Sequence, residues 1–339
     1  MPDPISEFRL VNGSTGDPAL YIDYPGRDNA FLFDSGELAS LDTPRLADLE
    51  AVFITHHHVD HFIGFDRIVR ANLDRDKTLH VYGPIGTIKK VYDRIKSYEY
   101  QFFPFQKIIL RVHEVLENRL LIADLECTRR FPEPELREQP LPGPVAVIYQ
   151  NGDLHVEAAH ADHTVPCLAF ALVEKPGIHP DSAQLAHGPL RKGPWVARAL
   201  ELLRAQAPLT TEVEIDGGRF ALATLADRYF RVTKGSRIAY ITDTASSDSA
   251  RPSLVRLAHR ATRLYCDSYY AAAQHRQAAT HRHMTASQAA ELATLARAEE
   301  LILIHFAPRY QGRYQSLIDE ARAIFPRTIA EIAGAGPSS

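Results

Sequence analysis

A short apolar run, Val52–Thr55 (VFIT), passes directly into six residues that are almost all metal ligands, His56-His57-His58-Val59-Asp60-His61. Runs of four to six residues rich in Ile, Val, Phe and Leu are the mark of buried strands, so this cluster is expected just past a strand end. Alternate residues of an extended turn point the same way. His56 and His58 can therefore grip one ion while Asp60 and His61 turn toward a second. Neutral imidazole nitrogens and carboxylate oxygens suit zinc or a similar divalent ion. The pattern of an apolar run closed by a polar residue recurs at Ala30–Asp34, Ile238–Asp243 and Leu301–His305, and Leu154–Ala158 is followed by His163. His163, Asp243 and His305 are thus further candidate ligands at strand ends, with the two oxygens of Asp243 able to bridge both ions.

The rest of the chain fits layers of sheet covered by helices. Val145–Tyr149 and Leu154–Ala158 read as a hairpin across Gln150-Asn151-Gly152-Asp153, and Leu168–Val173 as another strand. Ser287–Ala298 is built of good helix formers, with Thr285 and Gln288 spaced as a capping box at its start. Ser316–Phe325 is amphipathic and is stopped by Pro326. A stretch from Glu174 to Asp227 breaks the pattern. It is rich in Gly and Pro, holds the only tryptophan, Trp195, and has a helical piece near Ala197–Ala205. It is expected to be an inserted arm on a single domain that spans residues 1–339. Glu126–Pro144, with five prolines, is expected to be a surface loop.

Composition excludes several classes. Sixteen histidines against three cysteines do not suit a disulfide-stapled scaffold or a cysteine-rich zinc module. Cys127, Cys167 and Cys266 read as reduced core thiols of a cytoplasmic protein. Met1–Leu10 has neither the apolar run of a signal peptide nor the basic character of a transit peptide. No stretch approaches the length of a membrane span. A net charge of −4 excludes a globally basic nucleic-acid binder but not a local basic patch.

Five segments together resemble the metallo-β-lactamase superfamily and, within it, the ribonuclease Z family of tRNA 3′-processing endonucleases. Thr55–Gly64 (THHHVDHFIG) is similar to that family's T-H-x-H-G-D-H-x-x-G, with Val59 where Gly is usual. Val81–Gly86 (VYGPIG), Asp162–Pro166 (DHTVP), Gly235–Thr244 (GSRIAYITDT) and Leu301–Tyr310 (LILIHFAPRY) are similar to its other motifs. The likeness runs from about Asn29 to Ala333. It implies a four-layer αββα sandwich with one metal held by His56, His58, His163 and Asp243, and a second held by Asp60, His61, His305 and Asp243. The metals implied are two divalent ions, zinc with manganese or iron as alternatives.

The resemblance also assigns roles around the metals. Asp60 would orient and deprotonate the attacking water. His283, in His283-Met284-Thr285-Ala286, would be the extra histidine that contacts the scissile phosphate or leaving group, with His281 the weaker competitor. The family's His-Glu-Ala-Thr is replaced by Cys266-Asp267-Ser268-Tyr269, which implies either that Asp267 braces His283 with a shorter reach or that the relay is weakened. Glu174–Gly177 and His187-Gly188-Pro189-Leu190 are similar to the family's arm, which implies substrate contacts from Gly188, Pro189, Arg191 and Lys192, with Arg198 and Arg204 adding positive charge. Two departures stand out. Asn12–Tyr24 keeps only a trace of the family's N-terminal turn, and the 105 residues from His58 to His163 suggest an extra loop around Tyr98–Pro144.

The implied activity is a two-metal phosphodiesterase that cuts RNA at tRNA 3′ trailers, in a homodimer whose partner receives the arm. The alternatives are a related hydrolase for a small phosphodiester or other ester, and a metal-free RNA-binding scaffold. Glyoxalase-type thioesterases share the first motif but not the Asp267–Arg309 region, and a flavo-di-iron oxidoreductase would want a carboxylate in place of His58.

Overall fold

The computed structural model describes residues 7–24, 29–100 and 105–332. Met1–Ser6 of the Met1–Leu10 stretch, Gln101–Pro104 of the expected extra loop and Ala333 at the end of the resemblance lie outside the described residues. Eight strands lie side by side in chain order: β1 (Glu7–Leu10), β2 (Leu20–Tyr24), β3 (Asn29–Phe33), β4 (Leu49–Phe53), β5 (Thr78–Pro84), β6 (Ile109–Val115), β7 (Arg119–Glu126) and β8 (Arg137–Pro140). The chain then forms β9 (Val145–Asn151), β10 (Leu154–Ala161) and β11 (Cys167–Glu174). An excursion follows through β12 (Gly177–Pro180), β13 (Glu212–Ile215), β14 (Gly218–Ala221) and β15 (Phe230–Thr233). The chain returns as β16 (Ser236–Ile241), β17 (Arg263–Asp267), β18 (Leu301–Ile304) and β19 (Thr328–Ile329). The second sheet runs β19-β18-β17-β16-β11-β10-β9.

Three cores separate four layers, so the structure is an αββα sandwich. Between the sheets lies an aromatic-rich core, in which Phe33 and Phe53 stack at 4.9 Å and Phe170 and Tyr240 close the gap from the other sheet. Outside the first sheet, helices Phe65–Asn72 and Thr87–Lys96 bury Phe65, Ile68, Val91 and Ile95. Outside the second, helices Arg251–Leu257, Ala286–Ala296 and Tyr314–Arg322 pack an alanine- and leucine-rich face. The Thr285–Gln288 capping box forms in full. Among the described residues no helix is long and apolar enough to cross a membrane.

The stretch Glu126–Pro144 is not wholly a loop. Arg137–Pro140 forms β8, an exposed edge strand paired with β7. The extra length around Tyr98–Pro144 is likewise built largely of strands, since β6 and β7 form a hairpin. Arg111 and Asp124 pair directly across that hairpin, on the face that also carries Val115, Leu120 and Ile122 into the core between the sheets. Those charges hide the alternation of a strand that is apolar on one face.

The excursion has a core of its own, made by Leu185, Trp195, Val196, Ala199, Leu203, Leu222, Leu225 and Tyr229. It closes where β12 pairs with β15, and Arg204 ties it to Asp153 at the β9–β10 turn. Because Trp195 is the only tryptophan, its fluorescence reports on this unit alone. Leu225→Ala removes a fully buried side chain and should cost about 2–5 kcal/mol. The expected result is an earlier denaturant midpoint by Trp195 fluorescence, with the main far-UV circular dichroism transition unmoved. A shift of both would mean that the unit does not unfold by itself.

Candidate functional site

Strands β3, β4, β5 and β6 run parallel, as do β16, β17 and β18. Polar residues that follow such strands gather beyond their carboxyl ends, where open sheets place their sites. Asp34, His56, Asp243 and His305 all arrive in this way. Asp34, Asp243 and His305 take φ of 57°, 49° and 62°, in the left-handed region that non-glycine residues seldom adopt. Each left-handed residue turns the chain sharply as it leaves its strand. Gly64 meets a separate constraint, since a Cβ there would stand 2.1 Å from the Gly36 carbonyl oxygen. That approach seats the turn bearing His61, and Arg94 holds the same turn through the Phe62 and Ile63 carbonyls.

Three overlapping groups of candidate ligands result, the third being Asp243, His283 and His305, and the first two are the expected ones. In the first, His56, His58, His163 and Asp243 offer donor atoms within 4.8 Å of one another. His58 Nδ1 lies 2.9 Å from His56 Nε2 and 3.4 Å from His163 Nε2, and both Nε2 atoms lie 3.7 Å from Asp243 Oδ2. In the second, Asp60, His61 and His305 converge. Asp60 Oδ2 is 3.5 Å from His61 Nε2 and 3.4 Å from His305 Nε2. Asp243 presents its other oxygen to this group, 3.5 Å from His61 Nε2 and 2.8 Å from His305 Nδ1.

The donor set fits a pair of cations. His61 Nε2 and His305 Nδ1 are buried and face only carboxylate oxygens of Asp60 and Asp243, a convergence of nitrogen and oxygen donors that a cation would satisfy. Their other contacts set the tautomers. His61 Nδ1 donates to Asp34 Oδ2 at 2.8 Å, and His163 Nδ1 donates to the Arg282 carbonyl at 3.0 Å. Thr55 Oγ1 and the Tyr240 hydroxyl complete the shell of Asp34.

The two groups differ in protonation. Burial holds His56 well below the usual imidazole range and lowers His163. Burial also opposes charge on His61 and His305, but carboxylates overcome it. Asp243 and Asp34 push His61 up to about 10, and Asp243, Asp267 and Asp60 push His305 well above its ordinary value. At pH 7 the metal-free chain therefore carries protons on the second group that a cation must displace. We expect the second ion to release about two protons per chain, and its affinity to rise with pH above 7. Titration calorimetry in buffers of different ionisation enthalpy measures this. Metal uptake with no proton release would contradict it.

His283 stands beside both groups, its ring 5.2 Å from that of His163 and 5.5 Å from that of His305. Its Nδ1 donates to Asp267 Oδ2 at 3.0 Å. Burial disfavours the imidazolium, yet Asp267 outweighs it and raises the group. Asp267 is fully buried and also accepts from the backbone N–H groups of Thr244, Tyr269 and Met284. The short carboxyl thus reaches His283 because its own position is fixed from three sides. His281 is exposed and bonded to the Tyr270 hydroxyl instead.

Gly188, Pro189, Arg191 and Lys192 lie on the excursion and belong to neither ligand group. Gly188 caps helix Ser182–His187 against Tyr229, whose ring a Cβ would meet at 2.8 Å. Arg198 and Arg204 are paired with Glu201 and Asp153, so the expected positive charge of that helix is partly neutralised. Residues beyond the sequence reading also enter the site. Asp34 closes an apolar run like the others, a signal that was present. Tyr269, stacked on His283 at 4.4 Å, had none.

No protein-family model matches the chain. It is 32% identical over 326 residues to a protein of Deinococcus radiodurans named ribonuclease Z, covering 91% of this chain and 96% of that one. A ribonuclease Z of Thermobifida fusca is 30% identical over 304 residues, covering 88% and 81%. Among solved structures, the short form of human tRNase Z superposes with a TM-score of 0.54 at 18% identity over 90% of this chain and 93% of that one. The metallo-β-lactamase fold protein YhfI of Bacillus subtilis gives 0.54 at 15% identity over 95% and 94%. These two structural likenesses concern the fold.

Proposed function

The chain belongs to the ribonuclease Z family, and from that premise we propose that it is a two-metal endoribonuclease that removes 3′ trailers from precursor tRNA. One observation carries the reading: Asp243 turns one carboxylate oxygen to each ligand group, the arrangement a shared bridging ligand needs. When bound, a pair of divalent ions supplies Lewis acidity, neutralising phosphate charge and making water nucleophilic near neutral pH. Imidazole with carboxylate favours zinc, with manganese or iron as the alternatives.

The chain's own residues do the rest. His56, His58 and His163 would hold one ion, Asp60, His61 and His305 the other, and Asp243 would contribute to both. Burial works against a charged Asp60, but His305 and His61 keep it below the usual carboxylate range, so it is ionised and able to orient water and take its proton. His283, whose affinity for a proton Asp267 raises, would face the reacting phosphate and give a proton to the departing oxygen. The arm presents exposed Pro189, Arg191 and Lys192, outside its own chain's ligand groups. That placement supports a homodimer in which the arm grips tRNA bound to the partner. Three buried, unpaired thiols support a reducing, cytoplasmic setting.

Incubation with a 3′-extended precursor tRNA and, separately, with bis(p-nitrophenyl) phosphate tests the reading. A single cut at the junction of tRNA and trailer is the expected result. Turnover of the small ester with the precursor left intact would replace it with a small-phosphodiesterase function.

A further inference from the structure

Beyond the metal groups, the same edge of the sandwich carries a second concave feature. Strands β4, β5 and β6 end side by side, so the segments that leave their carboxyl ends lie in a row. After β4 comes the histidine cluster. Pro84 and Ile85 come at the end of β5, and the β6–β7 turn, closed by Leu116 N–H donating to the Arg119 carbonyl at 2.9 Å, comes after β6. The segment that joins β10 to β11 faces this row. Between them is a groove of about 360 Å³, with Pro84, Ile85, Leu116 and Pro166 supplying apolar surface.

The groove adjoins the first ligand group. His160 and Pro166, which line it, stand three residues on either side of His163. Thr87, just past Ile85, places its Oγ1 3.1 Å from His57 Nε2. Neighbouring strands lie about 4.8 Å apart, so β6 is about 10 Å from β4. A nucleotide next to a phosphate held by the metals can span that distance.

Its chemistry favours a flat, neutral ligand with polar edges. Asn118 is exposed and the Arg119 side chain is partly exposed, and both line the groove, with Arg119 Nη1 donating to Asn118 Oδ1 at 3.3 Å. Glu117 also lines the groove, and its carboxylate opposes a phosphate there. An apolar floor with an accessible amide and guanidinium beside it matches a nucleobase.

We propose that this groove binds a nucleobase of the RNA strand adjoining the scissile phosphate, a claim that rests on the RNA-cleaving function. The test couples two changes. Precursor tRNAs carry one abasic nucleotide, either immediately before or immediately after the cut, and the protein carries Ile85→Glu or, separately, Arg119→Ala. Ile85 is 55% exposed, so its replacement does not disturb the core. Each change alone should raise KM for the precursor about fivefold, relative to KM for bis(p-nitrophenyl) phosphate. The two together should be no worse than one, and the abasic position that shows this identifies which side of the cut enters the groove. Penalties that multiply at both positions, in an enzyme that still cuts the precursor, overturn the groove assignment alone. Variants that weaken self-association with KM unmoved assign the groove to a second copy and also overturn it. Failure of the unaltered enzyme to cut any precursor overturns the RNA reading and the groove's occupant with it.

Discussion

Asp243→Ala is expected to lower hydrolysis of bis(p-nitrophenyl) phosphate by at least about a thousandfold, because one side chain serves both ligand groups. Its Oδ2 faces His56 and His163 and its Oδ1 faces His61 and His305, so losing it weakens both ions at once. His58→Ala should also abolish turnover, since His58 Nδ1 sits between the other two histidines of its group. Asp243 has a φ of 49°, a conformation in which alanine is strained and asparagine is better tolerated. Asp243→Asn therefore separates chemistry from folding. It should keep the thermal midpoint near that of the unaltered protein, lose most activity, and bind less than the full complement of metal. Normal turnover by a well-folded Asp243→Asn protein would remove the bridging role.

His283→Ala should have the second-largest effect, and one that depends on the leaving group. A ribose oxygen departs as a strong base and needs a proton, whereas p-nitrophenolate leaves without one. Loss of a general acid costs about a hundredfold to ten-thousandfold, so precursor cleavage should fall by at least about a hundredfold. Turnover of bis(p-nitrophenyl) phosphate should fall by less than about tenfold. Asp267→Asn should follow the same pattern more weakly, because it removes the negative charge that raises the proton affinity of His283 but leaves a hydrogen-bond acceptor in place. Equal losses on both substrates would show that His283 positions the phosphate rather than donating a proton.

The ligand groups were legible because their geometry follows from chain order. An apolar run ending in His or Asp is a strand delivering a ligand, and parallel strands deliver at one edge. Asp34 fits that rule yet gained no role from sequence, since its partner His61 is set by the fold at 27 residues' distance. Tyr269 was invisible because its part is a ring contact made by packing. Strands β6 to β8 resemble loop in sequence because charged residues such as Arg111, Glu114 and Asp124 break the apolar runs that reveal buried strands. The arm's irregular composition marked an excursion but concealed a small core around Trp195, which only side chains distant in sequence could assemble.

The most direct test of the central claim is to strip the protein of metal and follow precursor cleavage as zinc or manganese is added back, with bound metal counted per chain. Activity should be absent in the stripped protein and return as the second equivalent binds. Full cleavage by metal-free protein, or full activity at one ion per chain, would contradict the account.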